Sequence, residues 1–474
     1  MVVRLNSATL GRLPIAAPGY DRHGVGVGIA HFGVGGFHRA HQAMYIDRLL
    51  ERGAREWGIC GIGVMPADRR MRDVLRAQDG LYTLVLEHPD GSREARVIGS
   101  IVDYRYAPDD PATIELLAAP TTRIISMTIT EGGYHIRDPE SVFGLIVEAL
   151  ALRRDRGIAA PTIMSCDNIE HNGDVSRRAV IAHAELLRPR LAGWIAEHVR
   201  FPGSMVDRIT PVTTGDIVAA VRRDFGVDDG WPVVAEAFAS WALEDDFADG
   251  RPPLEEAGVL LVDDVGPYEA MKLRLLNAGH QCLCYFAALC GYAAVHDAAR
   301  DPLLAEFLLA YFDSEATPTL RPVPGIDLRA YTRGLIERFA NPGVRDTVAR
   351  LCAYSSDRIP KWLLPVIRDN LRTGGPIRLA AATVAGWARY AEGVDERGEP
   401  IEVVDHLAGS LVPIARTQRR HPTAFVENAA LFGDLARVPR FVEAYRWALD
   451  SLHSRGTRAT LEALLHDELE GASR

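Results

Sequence analysis

Apolar residues fall along this chain in two rhythms, and the change between them divides it. Through the first half they come in short unbroken runs: residues 27–32 (VGIAHF), 57–64 (WGICGIGV), 124–130, 162–165 and 259–262. Runs of this length, bounded by turn residues and lacking helical spacing, predict strands buried on both faces, as in a parallel sheet. Helical segments lie between them, so the pattern alternates strand and helix and reads as α/β. Beyond Gly266-Pro267 helical spacing takes over. Phe441, Ala444, Tyr445, Ala448, Leu449 and Leu452 recur on one helix face until Gly456 stops it. The expected organisation is a mostly parallel sheet domain over residues 1–265 and a mostly α-helical substrate and catalytic domain over 266–474.

The first run leads into Gly33-Val34-Gly35-Gly36-Phe37-His38-Arg39, followed by AHQAMYIDRLL at residues 40–50, which has helical spacing and no Gly or Pro. Strand, glycine turn and helix in that order read as a dinucleotide-binding unit of Rossmann type or, on the motif alone, as an ordinary glycine turn. Gly33 permits the tight turn, Gly35 lets backbone approach a pyrophosphate, and the helix N-terminus offers unpaired N–H groups. The third glycine of the full fingerprint is missing, since Phe37 and His38 stand in its place. Asp68 lies just past the second strand, where a carboxylate binds ribose hydroxyls and repels a 2′-phosphate, which favours NAD over NADP. Arg69 and Arg70 could instead hold that phosphate, and all three could simply open a solvated helix. The candidate cofactor contacts are Gly33, Gly35, Gly36, Phe37, Arg39, Asp68 and Glu131.

Composition narrows the class. The 474 residues carry 47% hydrophobic and 24% charged side chains and a net charge of −10, which argues against a nucleic-acid partner. The cluster Arg416, Arg419 and Arg420 reads as a solvated face. Six cysteines (60, 166, 282, 284, 290, 352) in mostly apolar surroundings suggest reduced, buried thiols. The opening residues do not read as a signal peptide, and the longest apolar stretch, residues 282–294, is shorter than the ~20 residues a bilayer needs. These features lead to the expectation of a cytoplasmic enzyme with no membrane partner, monomeric or a small homo-oligomer.

The segment KLRLLNAGH, residues 272–280, carries the most explicit chemistry. On a regular helix at about 100° per residue, Asn277 lies roughly 140° and His280 roughly 80° around from Lys272, one broad face over about 12 Å of rise. A partly desolvated lysine can accept a proton at neutral pH, a carboxamide can donate to an oxygen gaining negative charge, and an imidazole can orient a hydroxyl. The same three residue types also occur together on solvated helix faces. Upstream, SMTITEGG and TIMSCDN each read as a strand ending in a turn, which places Glu131 and Asn168 on one crevice; Asn172-Gly173 reads as a plain turn. His31 falls on a strand while His38 and His41 lie past the glycine turn, so the three are not expected to converge on a metal. With no C-x-x-C pair and no H-E-x-x-H, no catalytic zinc is expected. Tyr268 and Lys272 match a Tyr-x-x-x-Lys spacing, which is read as coincidence because it lies at the domain junction.

The run GVGGFHRAHQ (33–42), VDRITP (206–211) and the Lys272, Asn277, His280 trio resemble the polyol-specific long-chain dehydrogenase/reductase family, in particular its mannitol 2-dehydrogenase-like members. The similarity continues through SMTITEGGY (126–134), MSCDN (164–168), GRPPLE (250–255) and PVPGIDL (322–328) toward Leu452. The resemblance implies an NAD-dependent, zinc-independent oxidoreductase interconverting a sugar alcohol and a ketose. It implies Lys272 as general base, Asn168 and Asn277 as an oxyanion-stabilising pair, and His280 as a substrate-positioning group. Asp207, Arg350 and Arg358 fall where relatives contact further substrate hydroxyls, although their residue types fit structural ion pairs equally well, and Glu269 falls where a carboxylate passes the proton to solvent. Two departures bear on substrate: residues 134–142 look short, and Arg358 stands where lysine is frequent. The alternatives are a hexuronate (fructuronate) reductase, whose substrate carboxylate could pair with Arg350 or Arg358, and a non-catalytic NAD(H)-binding protein.

Overall fold

The computed structural model describes residues 2–134 and 138–472, with side chains through 466. Contacts divide the chain into two units between Gly266 and Pro267, the three residues Pro89–Gly91 grouping with the second.

The first unit is built on five parallel strands: β1 (Val27–Phe32), β2 (Gly58–Gly63), β3 (Ile101–Tyr106), β4 (Ile124–Met127) and β5 (Thr162–Ser165), in the order β3-β2-β1-β4-β5. Successive residues point to opposite faces. Ile29, Ile59 and Ile124 enter one apolar cluster, whereas Ala30, Phe32, Ile125 and Ile163 enter another. Both faces are therefore dry, which is why the inner strands read as unbroken apolar runs. Burying each such aliphatic side chain contributes about 1.5–3 kcal/mol. Three smaller sheets flank this one.

Three expectations need correction here. The strand read over 259–262 is Leu260–Val262, and it pairs with Ser240–Glu244 in a separate three-stranded sheet, not in the main one. The first helix begins earlier than residue 40: α1 spans Gly36–Ala40 and α2 Gln42–Glu51, with a break at His41 (φ −123°, ψ −94°). Because α1 folds back over β1, the His31 and His38 rings do meet, stacked 3.5 Å apart and 15° from parallel. Among the described residues, no group of three or more His, Cys, Asp or Glu could hold a metal ion.

The second unit is helical. The helix Arg378–Tyr390 is buried at every position but its first, and Gly386 lets the ring of Phe286, from the helix Ala278–Leu289, approach its backbone. The helix Pro439–Arg455 ends at Gly456, whose φ of +83° is left-handed and suits glycine. No helix among the described residues is long and apolar enough to cross a membrane.

Candidate functional site

At the carboxyl end of β1 the chain must turn sharply, and Gly33 does so with φ +86°. A Cβ there would stand 2.1 Å from the Thr128 carbonyl oxygen, so no other residue fits. Thr128 closes the turn by donating from Oγ1 to the Gly33 carbonyl at 2.7 Å. Gly35 differs. It caps α1 with extended backbone, is exposed, and a Cβ on it would meet nothing nearer than 3.9 Å. The space it leaves lies before the N–H groups that open α1, a cradle that fits a dinucleotide pyrophosphate. Gly36 packs ordinarily against Thr210 and Val233.

The other residues of this turn face inward. Phe37 stacks on His41 at 4.9 Å. Arg39 is 1% exposed; its Nε donates to the Gly35 carbonyl at 3.3 Å, and another arm donates to the carbonyl of Trp231. It braces the turn from below. Asp68 opens α3 (Asp68–Ala77), and its Oδ2 accepts from the backbone N–H groups of Val64 and Met65 at 2.9 and 2.8 Å. The neighbouring cations have partners of their own: Arg69 pairs with Asp109 at 3.2 Å and Arg70 lies 4.6 Å over the Trp231 ring. Both line a groove of about 680 Å³ beside α3.

Glu131 and Asn168 are exposed at the carboxyl ends of neighbouring strands, β4 and β5, which pair through Met127 and Ser165. Asp207, 4% exposed, closes the strand Ser204–Asp207. Asn172, read as a turn, is instead a buried clasp. Its Nδ2 donates to the carbonyls of Asp167 and Ser204, and its Oδ1 accepts from the Ser204 N–H at 2.9 Å. Under the glycine turn, His31 bridges Ser126 Oγ (2.8 Å) and Thr128 Oγ1 (3.1 Å), and burial pushes its pKa down to about 3.

In the second unit the expected regular helix over 272–280 is not uniform. Residues Lys272–Asn277 form a π-helical segment between the α-helices Gly266–Met271 and Ala278–Leu289. In π geometry the backbone bond joins i to i+5, so Lys272 and Asn277 stand about one turn apart instead of on diverging flanks. Such insertions are uncommon and concentrate at functional sites. Lys272, Asn277, His280 and Glu269 are 8, 6, 8 and 5% exposed. The Asn277 Oδ1 is buried with no hydrogen-bond partner among the described residues. His280 stacks on Phe339 at 4.2 Å, which fixes the plane of its ring.

Arg350 and Arg358 each have committed contacts. Arg350 is bidentate on Asp346, through Nε at 2.5 Å and a second arm. Arg358 donates from one arm to the carbonyls of Leu351 (2.8 Å) and Arg350 (3.1 Å), and burial lowers its pKa. For Asp346 burial acts to raise the carboxyl pKa, yet the Arg350 hydrogen bonds and the charges of Arg350 and His280 outweigh it, so the net shift is downward. Asp346 was not among the residues the sequence pointed to, although its i,i+4 spacing from Arg350 was there to be read. The short stretch expected over 134–142 includes residues 135–137, which lie outside the described residues.

Comparison with known proteins follows this layout. Residues 27–256 match the mannitol dehydrogenase Rossmann domain, and residues 264–453 the mannitol dehydrogenase C-terminal domain. The chain is 42% identical to a mannitol 2-dehydrogenase of Phaeosphaeria nodorum, covering 97% of this chain and 85% of the relative. It is also 42% identical to the mannitol dehydrogenase DSF1 of Saccharomyces cerevisiae, covering 97% of each. Among solved structures, the Pseudomonas fluorescens mannitol 2-dehydrogenase ternary complex with NAD and D-mannitol matches with a TM-score of 0.87 at 42% identity, over 98% of this chain and 100% of that one. A D-sorbitol dehydrogenase in substrate-free form matches at 0.91 with 35% identity, over 97% and 100%. With both family domains matched in order and relatives of this identity aligned over nearly its full length, the chain belongs to the mannitol dehydrogenase family.

Proposed function

We propose that the protein is an NAD-dependent polyol dehydrogenase that oxidises a secondary hydroxyl of a sugar alcohol of the mannitol type to the ketose, reversibly and without a metal ion, with Lys272 as the base. The observation that carries the reading is the π-helical turn. Its i to i+5 winding spaces a buried amine and a buried carboxamide about one turn apart, and the Asn277 oxygen has no hydrogen-bond partner among the described residues. An unsatisfied buried acceptor is costly, and a second hydroxyl of the polyol, next to the one that reacts, can satisfy it.

In the forward direction Lys272, as the neutral amine, takes the hydroxyl proton while a hydride leaves the same carbon. Bound NAD supplies the hydride acceptor. The carboxamide N–H groups of Asn277 and Asn168 stabilise the oxygen as it gains negative charge, and they do so without adding a charge of their own. His280, held flat by Phe339, orients the hydroxyl. Glu269, close to Lys272 in sequence and buried, passes the proton onward. Asp207, Arg350 and Arg358 contact the remaining hydroxyls. The glycine turn receives the pyrophosphate and Asp68 the adenosine ribose, while Arg69 and Arg70, engaged with Asp109 and Trp231, leave the 2′ position without a dedicated phosphate partner.

Fructuronate reduction is the weaker reading for a specific reason. The Arg350 guanidinium is already paired with the Asp346 carboxylate, which offsets the charge a substrate carboxylate would need, and one arm of Arg358 is held by backbone carbonyls. The test is a panel of D-mannitol, D-sorbitol, D-arabinitol and their ketoses alongside fructuronate, each with NAD(H) and NADP(H), followed at the reduced-nicotinamide absorbance band with and without a chelator. Turnover of a polyol with NAD, unchanged by the chelator, is expected. Turnover of fructuronate alone would overturn the assignment.

A further inference from the structure

Thr130 is a β-branched residue with φ +63°, in the left-handed region where branching at Cβ is most costly, and it sits at the carboxyl end of β4 immediately before Glu131. Such a conformation persists only where its surroundings over-determine it, and such residues gather at ligand sites. Among the described residues, the Asp167 side chain holds the Thr130 backbone N–H. The Asp167 carboxylate accepts from the Thr130 N–H at 2.8 Å through Oδ1, and from the Ile129 N–H at 3.1 Å and the Tyr134 hydroxyl at 2.9 Å through Oδ2. Asp167 is 6% exposed and stands at the end of β5, one residue before Asn168. Burial raises its pKa, an effect that the Thr130 and Ile129 N–H groups and the Tyr134 hydroxyl only partly offset. A buried carboxylate costs stability unless it is hydrogen-bonded, and these three donors are what it holds in return.

The two residues that follow this linkage are both candidates for the site. Two residues before Thr130, Thr128 clamps the glycine turn through the Gly33 carbonyl. The ends of β1, β4 and β5 are thereby tied into one rim: Gly33 to Thr128, then Thr130 to Asp167. Tyr134 and Ser165 complete it, their hydroxyls 2.7 Å apart.

We infer that Asp167 is a positioning residue, holding Thr130 in the left-handed turn so that Glu131 and Asn168 keep fixed places beside the bound dinucleotide. This rests on the NAD-dependent reading above, but its readout is NADH affinity, which needs no polyol. The substitution Asp167→Asn keeps one acceptor oxygen and turns an amide donor toward an N–H that needs an acceptor, so it should release the turn.

The experiment measures NADH binding by fluorescence, together with Tm, on the full-length protein. Asp167→Asn should weaken NADH binding on the order of tenfold, the scale of one charge-assisted hydrogen bond. Adding Thr130→Gly should restore most of that loss, because glycine adopts positive φ without a brace, while leaving the Tm lowered. A purely structural carboxylate would show the opposite: the double variant would bind NADH no better than Asp167→Asn, and the inference would fall. Should Asp167→Asn not fold, Tyr134→Phe, which removes one of the three donors, serves in its place with the same Thr130→Gly rescue. Weaker NADH binding restored by glycine supports the role, and binding unchanged from the parent overturns it. A parent that binds NADH but turns over no polyol would sink the proposed reaction while leaving this inference testable.

Discussion

The glycine turn and the π-helical turn solve opposite problems. In the first unit the proposed cofactor surface is backbone: Gly33 is fixed by a contact no Cβ would survive, and Gly35 is defined by the emptiness beside it. In the second unit the backbone is only the carrier, and the proposed chemistry lies in side chains whose directions depend on helix register. A phosphate is recognised by N–H groups every residue possesses, so its site is written as missing side chains. A proton needs a particular amine at a particular angle, so its site is written in residue type and in local winding.

That contrast can be broken experimentally, beginning with the largest effect. Lys272→Ala should lower kcat by about 10²- to 10⁴-fold, the range for a general base, with NADH affinity within about threefold of the parent. Near-normal turnover, read in a stopped-flow or steady-state assay, would remove the amine from the mechanism. Gly33→Ala should be destabilised by about 1–3 kcal/mol or more, from positive φ together with the collision at Thr128, and should fall in Tm as well as NADH binding. Gly35→Val, by contrast, should keep its Tm and lose NADH affinity by an order of magnitude or so, because it fills the pyrophosphate's space without straining the chain. If both variants lost Tm equally, the division into a strained glycine and an open one would be wrong.

The smallest effect probes the second unit by pH. The folded pKa of Asp346 lies below its ordinary 3.8. Its carboxylate therefore contributes stability that is full above that value and lost as pH falls through the folded pKa. Asp346→Asn should flatten the acid limb of a Tm-against-pH curve. The difference should be at most about 1 kcal/mol, because the Arg350 side chain is 56% exposed. Identical acid limbs would show that the pair contributes nothing.

Much of the first unit was legible because its inner strands, dry on both faces, are continuous apolar runs. The edge strand β3 was missed. Its sequence IVDYRY puts Asp103 and Arg105 at the alternate, less buried positions, so an edge reads as alternation instead of a run. The strand at Leu260–Val262 was seen but given to the wrong sheet, since hydrophobicity does not name a partner. The residue types of KLRLLNAGH were plain in sequence, but its winding was not, because apolar spacing over so few residues fits i+4 and i+5 alike. Asp167 was overlooked beside Asn168: its donors lie at Ile129, Thr130 and Tyr134, more than thirty positions upstream, where no local pattern reaches. The meeting of His31 and His38 was hidden for a related reason, since the glycine turn brings back together what the sequence separates.

The anchoring of Asp68 limits how cofactor preference could be redesigned. One oxygen of that carboxylate accepts from the amides of Val64 and Met65, which leaves the other for the ribose contact proposed above. Swapping it for an apolar or cationic residue, which has no acceptor, to admit NADPH would release the amides of Val64 and Met65. A successful switch would keep an acceptor at 68, serine or asparagine for instance, and place the new positive charge at a neighbouring position.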